Sequence, residues 1–391
     1  MRILFMANAP WCGTGYGIQG SHLVPRLQAQ GHKLAYFAFY GLKGGVLKVG
    51  DTPIFPPGLD QWGGDILEAH MEAFKADILI TLLDVWVTDH FGQMAQKWGW
   101  DWLPWFPIDQ TPTPELILER LEGCTRAVVY SHFAEKEMAE TKFADRVRYV
   151  PHGVNREIFK PGSQREARKR VGLDPDRFIV GMVAANKGYP DRKAFAPQFL
   201  AFSELRKKHP EALLYLHTVI TTAHGGLNLL KLAERCGIPE DSIAYCDQYQ
   251  RTIGMPAEAI ADTYRAIDVL TSASLGEGFG LPIIEAQACG TPVVVGNWTS
   301  MPELVVNGRL IEKNTPFFTP LFSWVFIPDS RELAETYESL YDAKHSFPQT
   351  WAAKADAGSR AMGRFDWDAI AEQWGSVLEE VEIERGERAR D

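Results

Sequence analysis

Residues 274–296 read SLGEGFGLPIIEAQACGTPVVVG and set Glu277 and Glu285 eight positions apart, around a glycine turn and the start of a helix. The run before them, Ala266-Ile267-Asp268-Val269-Leu270-Thr271-Ser272-Ala273, is short, apolar and partly β-branched, which predicts a buried strand of a parallel sheet. Gly278 and Gly280 then open backbone conformations closed to other residues and let a ligand approach the main chain. Pro282 suits the first position of a helix, and Gly290-Thr291-Pro292 stops that helix about two turns later. Val293-Val294-Val295 predicts the next strand. In sheets built from this order, ligands bind at the carboxyl ends of the strands. The N–H groups around Phe279, Gly280 and Leu281 are expected to face that crevice. A carboxylate accepts paired hydrogen bonds from vicinal hydroxyls, so two of them predict a grip on two diols, one on a hexose and one on a ribose. Taken singly, Glu277 reads as a solvated loop residue and Glu285 as a complement to the helix dipole.

Taken together, Tyr264, Asp268, Ser274, Glu277-Gly278-Phe279-Gly280-Leu281-Pro282, Glu285-Ala286 and Gly290-Thr291-Pro292-Val293 resemble the E-x7-E signature of family 4, the retaining, two-domain (GT-B) glycosyltransferases also called glycosyl transferases group 1. The resemblance implies two Rossmann-like domains facing across a cleft. It also implies that the first glutamate, Glu277, contacts the transferred sugar near its reacting carbon, and that Glu285 binds the ribose of the nucleotide.

At 391 residues the chain exceeds the size at which one core keeps growing, so two domains are expected. The net charge of −10 argues against a surface built for nucleic acid. Cys12, Cys124, Cys236, Cys246 and Cys289 show no paired spacing, and with no signal peptide they predict a reduced, cytoplasmic protein. No apolar run approaches the ~20 residues of a membrane-spanning helix. A lipid acceptor would bring the protein to a membrane surface only peripherally.

Short apolar runs at 3–7, 33–39, 78–83, 105–108 and 127–130 alternate with helical patterns at 18–30, 66–74 and 115–121, which predicts a parallel α/β sheet. A proline- and glycine-rich stretch, 149–162, reads as a hinge, after which strands are expected at 179–183, 213–217 and 243–245. The expected domains are therefore 1–160 on the acceptor side, 161–365 for the nucleotide sugar, and 366–391 as a helix. Ile370, Trp374, Leu378 and Val381 lie at helical spacing there, and the resemblance implies that this helix crosses back onto the first domain. No internal repeat is evident.

Lys187 and Lys193 lie six apart in Ala185-Asn186-Lys187-Gly188-Tyr189-Pro190-Asp191-Arg192-Lys193, directly after a predicted strand. Two ammonium groups suit a diphosphate. The resemblance assigns them to the leaving diphosphate, with Lys187 where an arginine is usual and Arg192 as a possible substitute. Gly13-Thr14-Gly15-Tyr16-Gly17-Ile18-Gln19-Gly20 satisfies G-x-G-x-x-G from Gly15, a weak dinucleotide signal, because strand 33–39 ends without the acidic residue that would take a ribose hydroxyl. A loop whose N–H groups face diphosphate and acceptor fits better, with Gly13, Thr14 and Gly15 as contacts. A purely structural turn competes with that reading.

Asp109 follows a predicted strand where many family members carry a histidine beside the sugar; positioning of the acceptor hydroxyl and capping of the turn before Pro112 stand about even. Tyr249 lies where the family holds the nucleobase. His132 and His152 read as structural. Asp174-Pro175-Asp176 spells D-x-D but sits in a loop before a strand and reads as turn chemistry. No cluster has metal-ligand spacing. Trp86, Trp98, Trp100, Trp102 and Trp105 read first as core and second as a sugar platform.

The expectation is a retaining transfer of a sugar from a UDP- or GDP-type nucleotide diphosphate donor to an acceptor hydroxyl, with no cofactor and no metal. The acceptor class stays open among small molecule, lipid, glycan, protein and modified nucleic acid. The alternatives are a nucleotide-sugar-binding protein, an epimerase or phosphorylase on the same fold, and an NAD(P)-dependent oxidoreductase using Gly15, Gly17 and Gly20.

Overall fold

The structure, a computed structural model, describes residues 1–388 and residue 390. It forms two units. The first comprises Met1–Gly153, Pro320–Ser323 and Phe365–Asp391; the second comprises Val154–Thr319 and Trp324–Arg364.

In the first unit, β1 (Arg2–Asn8), β2 (Lys33–Tyr40), β3 (Leu47–Val49), β4 (Thr52–Phe55), β5 (Ile78–Leu82), β6 (Asp101–Phe106), β7 (Ala127–Val129) and β8 (Val147–Tyr149) form one sheet. Its order is β3-β4-β2-β1-β5-β6-β7-β8. Every pairing is parallel except β3 with β4. Burial on both faces explains the continuous apolar strands, as in β5 and β6, where every residue is buried. The short β3–β4 pair was not anticipated, because β3 is wholly exposed and lacks that apolar signal.

The helix Trp367–Arg388 belongs to this first unit and buries Ile370, Trp374, Leu378 and Val381. It packs along the helix Gly15–Ala29. Asp101, fully buried at the start of β6, accepts from Arg385 Nη1 at 2.6 Å and Arg388 Nη2 at 2.8 Å. Glu380 bridges Arg148, at 2.7 Å, and Arg126. A buried carboxylate needs such partners, so the helix is fixed by charge as well as by its apolar stripe.

In the second unit, β9 (Ile179–Val183), β10 (Leu213–His217), β11 (Ile243–Tyr245), β12 (Val269–Thr271), β13 (Val293–Gly296) and β14 (Gly308–Ile311) run parallel in the order β11-β10-β9-β12-β13-β14. That order is the doubly wound dinucleotide-fold pattern 3-2-1-4-5-6, with its topological switch point between β9 and β12. A separate antiparallel hairpin, β15 (Asn314–Phe318) and β16 (Trp324–Pro328), completes the sheets. The strand before the glycine loop is shorter than expected, since Ala266 ends the helix Ala257–Ala266 and β12 starts only at Val269. Asp268 breaks the apolar run. It is buried, and it accepts from Arg168 Nη2 and from Ile179 N, both at 2.7 Å, locking the amino-terminal edge of the sheet away from the site.

No helix among the described residues is long and apolar enough to cross a membrane.

Candidate active site

The second unit's switch point joins the loop after β9 to the loop after β12. Asp191 organises the first loop, accepting from Lys193 N at 3.1 Å and Phe195 N at 2.5 Å, and so capping the helix Phe195–Lys208. Buried Gln198 couples the two loops. It donates to Lys193 O at 2.8 Å and Ala194 O at 3.0 Å, and accepts from Thr271 Oγ1 at 2.6 Å and Ala273 N at 3.3 Å. Leu275 N donates to Arg192 O at 2.8 Å. The sequence reading missed Gln198, whose one signal was an amide on an apolar helix face.

Glu277 stands at this junction, 7% exposed. Its Oε1 accepts from Lys193 Nζ and, at 2.6 Å, from Ser274 Oγ, and its Oε2 lies 3.4 Å from Arg192 Nη1. Arg192 Nη1 also donates to Gly276 O at 2.7 Å. Ser300 Oγ fixes the loop from behind, sharing its one proton between Glu277 O at 2.7 Å and Phe279 O at 2.8 Å. Burial alone would raise the Glu277 carboxyl, but the charges of Lys193 and Arg192 more than offset it and hold it at about 2. Glu277 is therefore an ionised acceptor of hydrogen bonds. A carboxylate has about four lone-pair sites, so with three donors already present the diol grip expected of Glu277 narrows to about one further bond.

Gly280, at φ 112°, caps the helix Leu281–Ala288, where a Cβ would lie 2.7 Å from Ile283 Cδ1. Gly280 is thus a backbone requirement. The helix begins at Leu281, so Pro282 is its second residue. Glu285, in its middle, is partly exposed and accepts from Tyr264 Oη at 2.7 Å. Burial pushes its carboxyl up to about 7, with the tyrosine hydroxyl working against the shift.

Lys187 is exposed on the β9 loop and pairs with no carboxylate among the described residues, whereas Arg192 and Lys193 both reach Glu277. Asn186 beside it is buried and holds the loop by donating to Val219 O at 2.8 Å and Leu227 O at 2.7 Å. Tyr249, 70% exposed on the helix Gln248–Ile253, lies beyond the carboxyl end of β11. Asp174 Oδ1 accepts from Asp176 N at 2.9 Å, which is a turn. Among the described residues no group of three or more His, Cys, Asp and Glu side chains is placed to hold a metal.

The first unit has its own switch point, between β1 and β5. Thr14 caps the helix Gly15–Ala29, accepting from Gly17 N at 3.2 Å and from Asn8 Nδ2 at 2.6 Å. A Cβ on Gly17 would meet Cys12 O at 2.6 Å and one on Gly20 the Tyr36 hydroxyl at 2.3 Å, so these glycines serve helix–strand packing, whereas Gly13 faces open space. Tyr16 Oη donates to Asp84 Oδ1 at 3.3 Å. Burial first, then Asp84, then Asp109 hold the Tyr16 phenol well above its ordinary range. Asp109 therefore lies near Tyr16 and Asp84 at the carboxyl ends of β6 and β5, and Asp84 was not singled out from sequence. The following loop is braced by Glu137, which accepts from Thr111 Oγ1 at 2.8 Å and Thr113 N at 2.9 Å. His152 packs on Tyr130, with ring centres 4.0 Å apart, and burial takes it down to about 3. Trp102 and Trp105 are core, while Trp86 and Trp98 are about half exposed.

Residues 191–342 match the family model described as Glycosyl transferases group 1. The D-inositol 3-phosphate glycosyltransferase 2 of Catenulispora acidiphila is 31% identical over 281 residues, which is 67% of this chain and 58% of that protein. The D-inositol 3-phosphate glycosyltransferase of Rhodococcus jostii is 33% identical over 237 residues, 58% of this chain and 46% of that one. The chain thus spans about half the length of the curated relatives it matches. Among solved structures, sucrose-phosphate synthase from Thermosynechococcus elongatus aligns with TM-score 0.77 at 19% identity, covering 98% of this chain and 99% of that one. HepE of Anabaena in complex with UDP-glucose aligns with TM-score 0.73 at 17% identity, covering 97% and 100%. The resemblance drawn from Glu277 to Val293 is borne out: the matched segment is of the group 1 glycosyltransferase family, and the chain has the GT-B fold.

Proposed function

We propose that the protein is a retaining glycosyltransferase that moves a sugar from a nucleotide diphosphate donor to an acceptor hydroxyl, working in the cytoplasm. The observation that carries this reading is the junction of Lys193, Arg192, Ser274 and Glu277 at the switch point of the second unit. Lys193 and Arg192 face Glu277, with Asp191 a second carboxylate acting on Lys193, so the junction is balanced in charge and offers two cations to a diphosphate. Exposed Lys187 adds a further charge, so neutralisation of the leaving group rests on side chains and needs no metal. Glu277 accepts from a sugar hydroxyl and Glu285 from a ribose hydroxyl.

The sugar's C1–O bond to the diphosphate breaks, the acceptor oxygen bonds C1 from the same face, and the acceptor proton passes to the departing diphosphate. Because HepE was solved with UDP-glucose, UDP-sugars are the first donors to try. The D-inositol 3-phosphate named for the relatives makes a small polyol the first acceptor class. The test is nucleoside diphosphate release from UDP-, GDP- and ADP-sugars against polyol, lipid and glycan acceptors, with the anomeric configuration of the product read by NMR. Acceptor-dependent release with retained configuration is expected. Nucleotide-sugar binding without release under every pairing would overturn catalysis in favour of a binding protein.

A further inference from the structure

Tyr264 is fully buried on the helix Ala257–Ala266, and its hydroxyl donates to Glu285 Oε2 at 2.7 Å. Its backbone is held as firmly: Thr291 Oγ1, just past the helix that carries Glu285, donates to Tyr264 O at 2.6 Å. Cys289 Sγ, at 3.8 Å from Ala261 O, closes the same pair of helices. The phenol is therefore a fixed donor aimed from the interior, and Glu285 as a residue is only partly buried. Glu285 Oε1 has no protein partner among the described residues.

We propose that Tyr264 is the positioning residue of the nucleotide site: by occupying Oε2 it presents Oε1 as a single, oriented acceptor for one ribose hydroxyl and favours the ionised form that accepts it. The inference rests on the donor-site reading above. It also revises the paired grip on a ribose diol, because one of the two carboxylate oxygens is already taken.

The surroundings support this role. Burial, then Glu285, hold the Tyr264 phenol well above its ordinary range, so it remains a donor. The Cys289 thiol, pushed up to about 12 mainly by burial, also faces Glu285. Arg265 and Asp262 face that thiol and pair with each other at 3.0 Å. Removing the hydroxyl leaves burial of Glu285 uncompensated, so its titration moves upward.

The experiment is calorimetric titration of the whole chain with UDP, GDP and ADP from pH 5.5 to about 9, for wild type, Tyr264→Phe and Glu285→Gln. In wild type, affinity for the preferred nucleotide rises with pH through about 7 and then levels. In Tyr264→Phe the midpoint moves up, affinity at pH 7 falls about tenfold, as for loss of a hydrogen bond to a charged group, and much of it returns at the alkaline end. A midpoint identical to wild type, with a uniform loss or none, overturns the role of Tyr264 while leaving the donor site standing. Unchanged affinity in Glu285→Gln, or no binding of any of the three nucleotides by wild type, overturns the donor-site reading itself. Should Tyr264→Phe fail to fold, a fluorinated tyrosine at 264 keeps the shape and strengthens the donor, and must lower the midpoint; an unmoved midpoint there overturns the proposal equally.

Discussion

The two units repeat one architectural device with different chemistry. Each places two loops at the switch point of a doubly wound sheet, after β1 and β5 in the first unit and after β9 and β12 in the second. In the second, the loops meet as cations on a buried carboxylate, Lys193 and Arg192 on Glu277. In the first, they meet as a phenol on a carboxylate, Tyr16 on Asp84, with Asp109 nearby. The lesson is that the fold fixes where a ligand sits and the loop side chains decide its charge. A junction that offers two cations suits phosphate, and a hydroxyl–carboxylate junction suits sugar-like hydroxyls.

The strongest way to break this comparison is Lys193→Ala. Turnover should fall by about 10²–10³, as for loss of one preorganised donor to a developing negative charge, and the melting temperature near neutral pH should fall as well, because the buried Glu277 loses its nearest cation. Steady-state kinetics beside a thermal melt decide it, and unchanged turnover removes Lys193 from the reaction.

Next come the two glutamates, whose titrations have opposite signs. Glu277, held at about 2, contributes stability that is present above the unfolded carboxyl's ordinary value and is lost as pH falls toward 2. Glu285, raised to about 7, does the reverse: it costs stability increasingly as pH climbs from its unfolded value to about 7, and fully above that. Denaturant unfolding at pH 8 should therefore find Glu285→Gln more stable than wild type by about 1–3 kcal/mol, and Glu277→Gln less stable. Equal signs for the two variants would show that the junction does not hold Glu277 ionised.

A smaller effect is expected in the first unit. Asp84→Asn should raise the acceptor KM about tenfold, the size of one hydrogen bond to a charged group, and leave nucleotide affinity unchanged. If nucleotide affinity falls instead, the first unit's switch point serves the donor and the contrast between the units is wrong. Smallest of all, Thr14→Ala removes a helix cap worth about 1 kcal/mol. A loss of stability with normal KM values marks Thr14 as structural, whereas a rise in either KM restores it to the ligand.

The local geometry of the segment proposed to hold the donor was legible because its signal is local. Glu277, Gly280, Pro282 and Glu285 share one strand–loop–helix segment, where spacing alone predicts geometry. The contacts that set their charge were not legible. Lys193 and Arg192 were singled out for the diphosphate and Tyr264 as part of the motif, but their pairing with Glu277, 84 and 85 positions away, and with Glu285 exists only in the folded chain, and Gln198 sits on a helix whose apolar face makes a polar residue look incidental. Asp84 escaped for a similar reason, since only the folded chain brings it to Tyr16, 68 positions away. Strand ends were misread where burial broke periodicity, as at Asp268, an acid inside an apolar run that ion pairing makes tolerable.

The seam between Asp101 and the arginines of the last helix has a consequence for how the chain comes into being. The first unit is assembled from both ends of the sequence, so on the ribosome its amino-terminal sheet emerges with Asp101 buried or burying and neither Arg385 nor Arg388 yet made. The second unit, contiguous in sequence apart from a four-residue excursion, can close while the first still waits. The unit translated first is the one completed last.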